Sequence, residues 1–151
     1  MQKTQITSSA RLGLVKNIVI ERKNSIKHAP CVLLVDDDRA VRRAIKLLLE
    51  SSNYNVREYG QASDLLCDEV AKTCGCMITD YCMPEMSGLE LLRKLRSIGW
   101  LGPAILITGH HESDLVQRAI ASGFYAVIEK PLTDLRLIKL VSECLCTPLV
   151  D

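Results

Sequence analysis

Aromatic side chains are scarce in this chain: one Trp, one Phe and four Tyr make up 4% of its 151 residues. A surface that stacks nucleobases needs several rings in series, so direct nucleic-acid binding of that kind is excluded. No apolar run approaches the roughly 20 residues that span a bilayer, and the expectation is a soluble protein. No glycine-rich loop follows the first apolar run, which removes the backbone cradle that a nucleotide's phosphates require. Net charge is almost absent as well, at +1, but it is unevenly spread. Residues 1–30 carry six Lys or Arg against Glu21 alone, whereas seventeen acids oppose thirteen bases from Cys31 onward.

The chain therefore divides into a basic extension at 1–30, flexible or partly helical, a folded body at 31–147 and a short tail at 148–151. Such an extension touches an acidic partner, a membrane surface or nothing. Lys16 and Asn17 interrupt its apolar stretch and no small-residue cleavage site follows, so it is not read as a secretory signal. Cysteine, by contrast, is plentiful at seven. An odd number without a signal peptide points to a reducing compartment, and the expected location is the cytoplasm. Cys74 with Cys76 and Cys144 with Cys146 are spaced one residue apart, with no histidine placed to complete a zinc site. They read as thiols that pack as small hydrophobes rather than as a metal or redox centre.

From Cys31 onward short apolar runs alternate with longer amphipathic ones, the pattern of strand and helix units around a parallel sheet. Strands are expected at "VLLV" (32–35), "NVREY" (55–59), "CMITD" (76–80), "AILIT" (104–108) and "YAVIE" (125–129). Helical spacing follows each of them. Val41, Ala44, Ile45, Leu48 and Leu49 line the first helix, and a weaker second helix runs through Leu65, Leu66 and Val70 to a stop near Gly75. The third covers Leu89 to Arg96, and the fourth carries Leu115, Val116, Ala119 and Ile120 up to Gly123. The last begins at a Thr133 or Asp134 cap and carries Leu135, Ile138, Leu140 and Val141, with Pro148 closing the ordered region. The fold class is thus α/β: a doubly wound parallel sheet of five strands with five helices, some on each face.

In such sheets the functional crevice lies beyond the carboxyl ends of the strands. The residues there are Asp36 and Asp37 after strand one, Asp80 ending strand three, Thr108 ending strand four and Lys130 after strand five. Bare carboxylates about 4 Å apart repel by roughly 4 kcal/mol at an effective dielectric near 20, so the acids call for a cation. Mg2+ accepts one or two carboxylates, waters and a phosphate oxygen. Asp38 is left to cap the first helix. Alone, "VDDD" reads equally well as a helix-capping charge run on a solvated loop.

The segments "LLVDDD", "ITDYCMPEMSGLELL", "AILITGHH" and "VIEKPL" occur in that order at successive strand ends. With them the chain resembles the receiver domains of bacterial two-component response regulators, from about Cys31 to Cys146. The "MPEMSGLELLRKLR", "LITGHH" and "IEKP" phrases look most like the branch whose longer members regulate nitrogen-fixation and other genes. The resemblance implies a CheY-like, flavodoxin-like sheet with strand order 2-1-3-4-5. It implies that Asp80 accepts a phosphoryl group from a sensor histidine kinase or a phosphotransfer protein. It further implies Mg2+ held by Asp37, Asp80, Asp36 through water, and the main-chain carbonyl of Cys82. Lys130 would pair with a phosphate oxygen, aimed by Pro131, often cis in the family, and Thr108 would be the switch hydroxyl.

Pro84 stiffens the loop after Asp80, Ser87 caps the third helix, Gly88 permits a tight approach, and Met83 and Met86 are packing. Val127 stands where the family usually has an aromatic, and Tyr125 does not take its place. Gly109 leaves the site open to small phosphodonors. Cys82 and His110 occupy positions where the family tunes dephosphorylation.

Three readings follow. The first is a stand-alone receiver, a phosphoryl acceptor rather than an enzyme. It signals to a separate effector, or through a homodimer, by the face of helix four, strand five and helix five. The second is a phosphorylation-independent adaptor, for which Val127 is the motive. The third, a phosphohydrolase of similar architecture, needs a second acid two residues after its aspartate, and Cys82 stands there.

Overall fold

The computed structural model describes residues 29–146, so the expectations for the extension and for Pro148 fall outside the described residues. The strands are β1 (Cys31–Val35), β2 (Asn55–Tyr59), β3 (Cys76–Asp80), β4 (Ala104–Thr108) and β5 (Ala126–Glu129). The helices are α1 (Arg39–Ser51), α2 (Ala62–Leu66), α3 (Gly88–Ser97), α4 (Leu115–Ala121) and α5 (Asp134–Cys146). All strand pairings are parallel, in the order β2-β1-β3-β4-β5. From β1, next to one edge, the sheet is extended outward by β2 and then built in the other direction by β3, β4 and β5.

Two apolar layers flank the sheet. Leu33, Val35, Met77 and Leu106 point to one side, where α2, α3 and α4 cover them with Leu65, Leu91, Leu92, Leu95 and Leu115. Val32, Leu34, Ile78, Ile105 and Ile107 point to the other, under Ile45 and Leu49 of α1 and Leu137 and Val141 of α5. Strand alternation produces this division. Each fully buried leucine or isoleucine contributes about 1.5–3 kcal/mol of burial.

Local signals fix the helix starts. Asp38 caps α1, its carboxylate accepting from Ala40 N–H at 2.9 Å and Val41 N–H at 3.2 Å. Ser87 and Glu90 form a reciprocal capping box on α3. Gly99 and Gly123, beyond the ends of α3 and α4, have φ of 91° and 101°, a region that favours glycine.

Three expectations need correction. The second helix stops at Leu66, because Asp68 caps a separate 3-10 turn at Glu69–Thr73 by accepting from Val70 N–H at 3.0 Å. Tyr125 lies before β5 rather than in it. Cys31 and Cys74 are joined in a disulfide with Cα atoms 4.7 Å apart, so they are not packing thiols. β1 and β3 are hydrogen-bonded neighbours with Val32 opposite Cys76, and that register brings the two sulfurs together. Cys76 and Cys144 are buried thiols as expected, while Cys67, Cys82 and Cys146 are exposed thiols.

Candidate functional site

The strand order opens a crevice between the carboxyl ends of β1 and β3, because the crossovers after these two strands leave on opposite faces of the sheet. Asp36, Asp37 and Asp80 meet there, each offering an oxygen within 4.8 Å of the others. Asp36 and Asp80 are buried and Asp37 is exposed. Asp36 Oδ1 accepts from Asp38 N–H at 2.9 Å, while its Oδ2 is buried with no hydrogen-bond partner among the described residues. Burial pushes the Asp36 carboxyl above its ordinary value; the Asp38 hydrogen bond opposes this and the charge of Asp80 adds to it. Burial likewise raises Asp80, against the hydrogen bond and charge of Lys130.

Lys130 Nζ lies 3.2 Å from Asp80 Oδ1, and the Lys130–Pro131 peptide is cis. The Lys130 N–H donates to the Thr108 carbonyl at 2.8 Å, tying the lysine's backbone to the end of β4. Thr108 is buried; its hydroxyl oxygen accepts from His110 N–H at 2.9 Å. Gly88 is held against the site so closely that a Cβ there would lie 2.6 Å from the Asp80 carbonyl oxygen and 2.8 Å from Leu106 Cδ1. Cys82 is exposed in the loop after β3, and Met83 and Met86 pack on the core. Every residue expected at the site is thus placed at this end of the sheet.

Sequence reasoning missed the supports. Arg42 of α1 donates from Nη1 to the Asp36 carbonyl at 2.7 Å and from Nε to Glu58 of β2 at 3.3 Å, steadying the loop that carries the first two acids. Its position opposite the apolar face of α1 by itself predicts only solvent exposure. Glu85 accepts from the Ser63 hydroxyl at 3.1 Å, joining the loop after β3 to α2. Beside Asp80, the Tyr81 ring meets the His110 ring edge-on at 6.2 Å. These links cross between elements far apart in sequence, and no local pattern announces them. Val127 is half-buried against the α3 side of the core.

A donor set of carboxylates with one orphaned oxygen matches a hard divalent cation, which prefers oxygen ligands. Comparison with known proteins agrees with this geometry. The family model for the response regulator receiver domain matches residues 32–142. The transcriptional regulatory protein FixJ of Azorhizobium caulinodans is 39% identical over 114 residues, covering 76% of this chain and 54% of that protein. The C4-dicarboxylate transport regulator DctD of Rhizobium meliloti is 38% identical over 111 residues, 74% of this chain and 24% of that one. The crystal structure titled FixJ-N superposes with a TM-score of 0.72 at 30% identity, covering 82% of this chain and 99% of that one. This chain therefore spans between a quarter and about half of the length of these full-length regulators. Fold, strand-end acids and matched residues lead to one assignment: the chain belongs to the receiver-domain family of two-component response regulators.

Proposed function

We propose that this receiver accepts a phosphoryl group on Asp80 from a sensor histidine kinase or phosphotransfer protein, with Mg2+ seated on Asp36, Asp37, Asp80 and the Cys82 carbonyl. The observation that carries this reading is the buried Oδ2 of Asp36, unpartnered among the described residues, beside two further carboxylates. Isolated buried carboxylate oxygens are costly, and a bound cation resolves the cost. Mg2+ supplies charge neutralisation at the phosphoryl oxygens.

The chain's own groups supply the rest. An Asp80 carboxylate oxygen attacks phosphorus; an acyl phosphate forms as the bond to the donor's imidazole breaks. Lys130, already 3.2 Å from Asp80, pairs with a phosphoryl oxygen. The Thr108 hydroxyl exchanges its contact with His110 for another phosphoryl oxygen, a local charge change that biases a two-state element. The acyl phosphate then hydrolyses, so the protein is an acceptor that cycles and not an enzyme acting on an outside substrate. Pro131 aims Lys130, and Gly88 keeps α3 close to Asp80.

We place the domain, residues 31–147, in the cytoplasm, where kinases draw on ATP. It signals to an effector protein, or in a homodimer, through α4, β5 and α5, where Val116, Ile120 and Leu135 are exposed. In the stand-alone reading the effector is a separate protein. Val127 favours a second reading, an adaptor indifferent to phosphorylation, since no ring moves with Thr108 from that position.

The test is intact-mass analysis after incubation with acetyl phosphate. One phosphoryl group should add in Mg2+, with none added in excess chelator or in Asp80→Asn. Labelling that persists in Asp80→Asn would overturn the assignment. Partner affinity equal in labelled and unlabelled protein would favour the adaptor.

A further inference from the structure

Sulfur collects at the end of the sheet remote from the acids. Cys31, the first residue of β1, is bonded to Cys74, on the segment leading into β3. Main-chain and side-chain hydrogen bonds brace the joint. Gly75 N–H donates to the Cys31 carbonyl at 3.0 Å, and the indole Nε1–H of Trp100 donates to the Cys74 carbonyl at 2.9 Å. Trp100 is the chain's single tryptophan and is 2% exposed, with the Arg96 guanidinium 5.1 Å from its ring. A cavity of about 340 Å3 opens beside Cys74, Trp100 and Cys144.

The other five cysteines are thiols, and three of them are exposed. In a reducing compartment, disulfides that do occur are transient and respond to redox state. The two sulfurs are also unequally placed: Cys31 is half-buried and Cys74 buried, so an attacking thiol reaches Cys31 first. Cys76 does not compete, because it is fully buried and its thiol donates to the Met77 carbonyl at 3.9 Å.

We propose that Cys31–Cys74 is a reversible thiol–disulfide exchange site for small thiols and dithiol reductants, and that its state sets how firmly the root of β1 is held to the segment ahead of β3. The proposal rests on the cytoplasmic placement given above, not on the chemistry of Asp80. In the first step a reductant thiolate attacks Cys31 Sγ. A mixed disulfide forms, the Cys31–Cys74 bond breaks, and the Cys74 thiolate leaves and takes a proton from water. The second thiol then attacks the reductant's own sulfur and expels Cys31, which is protonated in turn. Two electrons pass from two thiols to the protein, and the reductant departs as its disulfide. A small disulfide such as oxidised glutathione reverses both steps.

The test uses the full chain purified without reductant. Thiol titration after unfolding should count five thiols, rising to seven after the folded protein is equilibrated with reduced glutathione or dithiothreitol. Trp100 emission, followed across a series of glutathione ratios, should trace one reversible transition. Cys31→Ser and Cys74→Ala should each abolish it. Three results would overturn the proposal: seven thiols at every ratio, a bond reduced only after unfolding, or a Trp100 transition that survives in both variants. Acetyl phosphate labelling in each redox state is scored separately, since its failure removes the Asp80 reading and leaves the thiol count to decide this one.

Discussion

The two ends of the sheet are built on opposite principles. At the carboxyl end, Asp36 and Asp80 are buried beside a third acid, one carboxylate oxygen has no partner among the described residues, and the Thr108 hydroxyl is fastened only to the next loop. At the amino end, Trp100 fills the core, its one side-chain polar atom is hydrogen-bonded, and a covalent bond ties the first residue of β1 to the segment leading into β3. One end keeps charge buried at a cost to stability; the other supplies cohesion. Such a division is expected when a site must hold charge that the rest of the fold does not need.

The largest expected effect comes from removing the cohesive element. The Cys31–Cys74 bond spans a sequence separation of 43 residues, and closing a loop of that length restricts the unfolded chain by about 4 kcal/mol in the chain-entropy account. The pair Cys31→Ala with Cys74→Ala should lose a large share of that in urea unfolding while Asp80 is labelled as before. If labelling falls in step with stability, the two ends are not independent.

A smaller loss is expected from Gly88→Ala, which attacks the junction of the two regimes. Its Cβ would meet the Asp80 carbonyl oxygen at 2.6 Å, Leu106 Cδ1 at 2.8 Å and Thr79 Cγ2 at 3.1 Å. Backbone cannot yield as a flexible side chain does, so overpacking of about 1–3 kcal/mol is expected. Unlike the cysteine pair, it should also slow phosphoryl labelling, because α3 is pushed from the loop after Asp80. Unchanged labelling with reduced stability would show Gly88 to be a packing residue alone.

These contrasts explain what was legible in the sequence. The placement of the carboxyl-end residues was legible because these candidates close apolar runs: "VLLV" ends before Asp36, "CMITD" on Asp80, "AILIT" on Thr108. Period and turn chemistry find such residues one strand at a time, and a parallel sheet brings the ends together. Caps were legible for the same reason, since Asp38 and Ser87 act on the helices they precede. The amino end was not. Cys31 and Cys74 are distant in sequence and meet only through the register of β1 and β3, which no local pattern encodes. Arg42 was hidden in a similar way: its helix position predicts solvent, and only the closeness of β2 gives it Glu58 and the Asp36 carbonyl. The second helix is shorter than its apolar spacing predicts because Asp68 caps a new turn.

The smallest effect has the most informative sign. Asp36→Asn keeps an oxygen to accept from Asp38 N–H and removes a charge that burial and Asp80 both oppose. A carboxyl whose pKa is raised on folding contributes stability below its ordinary value of 3.8, and loses that contribution as pH rises through the folded value. Asparagine does not titrate. The two proteins should therefore unfold alike at pH 3. With rising pH the variant should gain on the wild type, reaching about 1 kcal/mol near neutrality without divalent ions, the scale of a relieved buried polar group. Added Mg2+ should reverse the order, because the wild type binds it and the variant binds it about tenfold more weakly, as for lost metal-site partners elsewhere. Melting temperatures at two pH values, with and without Mg2+, read all four combinations. If the variant is less stable than the wild type at neutral pH without metal, Asp36 belongs to the cohesive part of the molecule, and the contrast between the two ends of the sheet fails at its most buried charge.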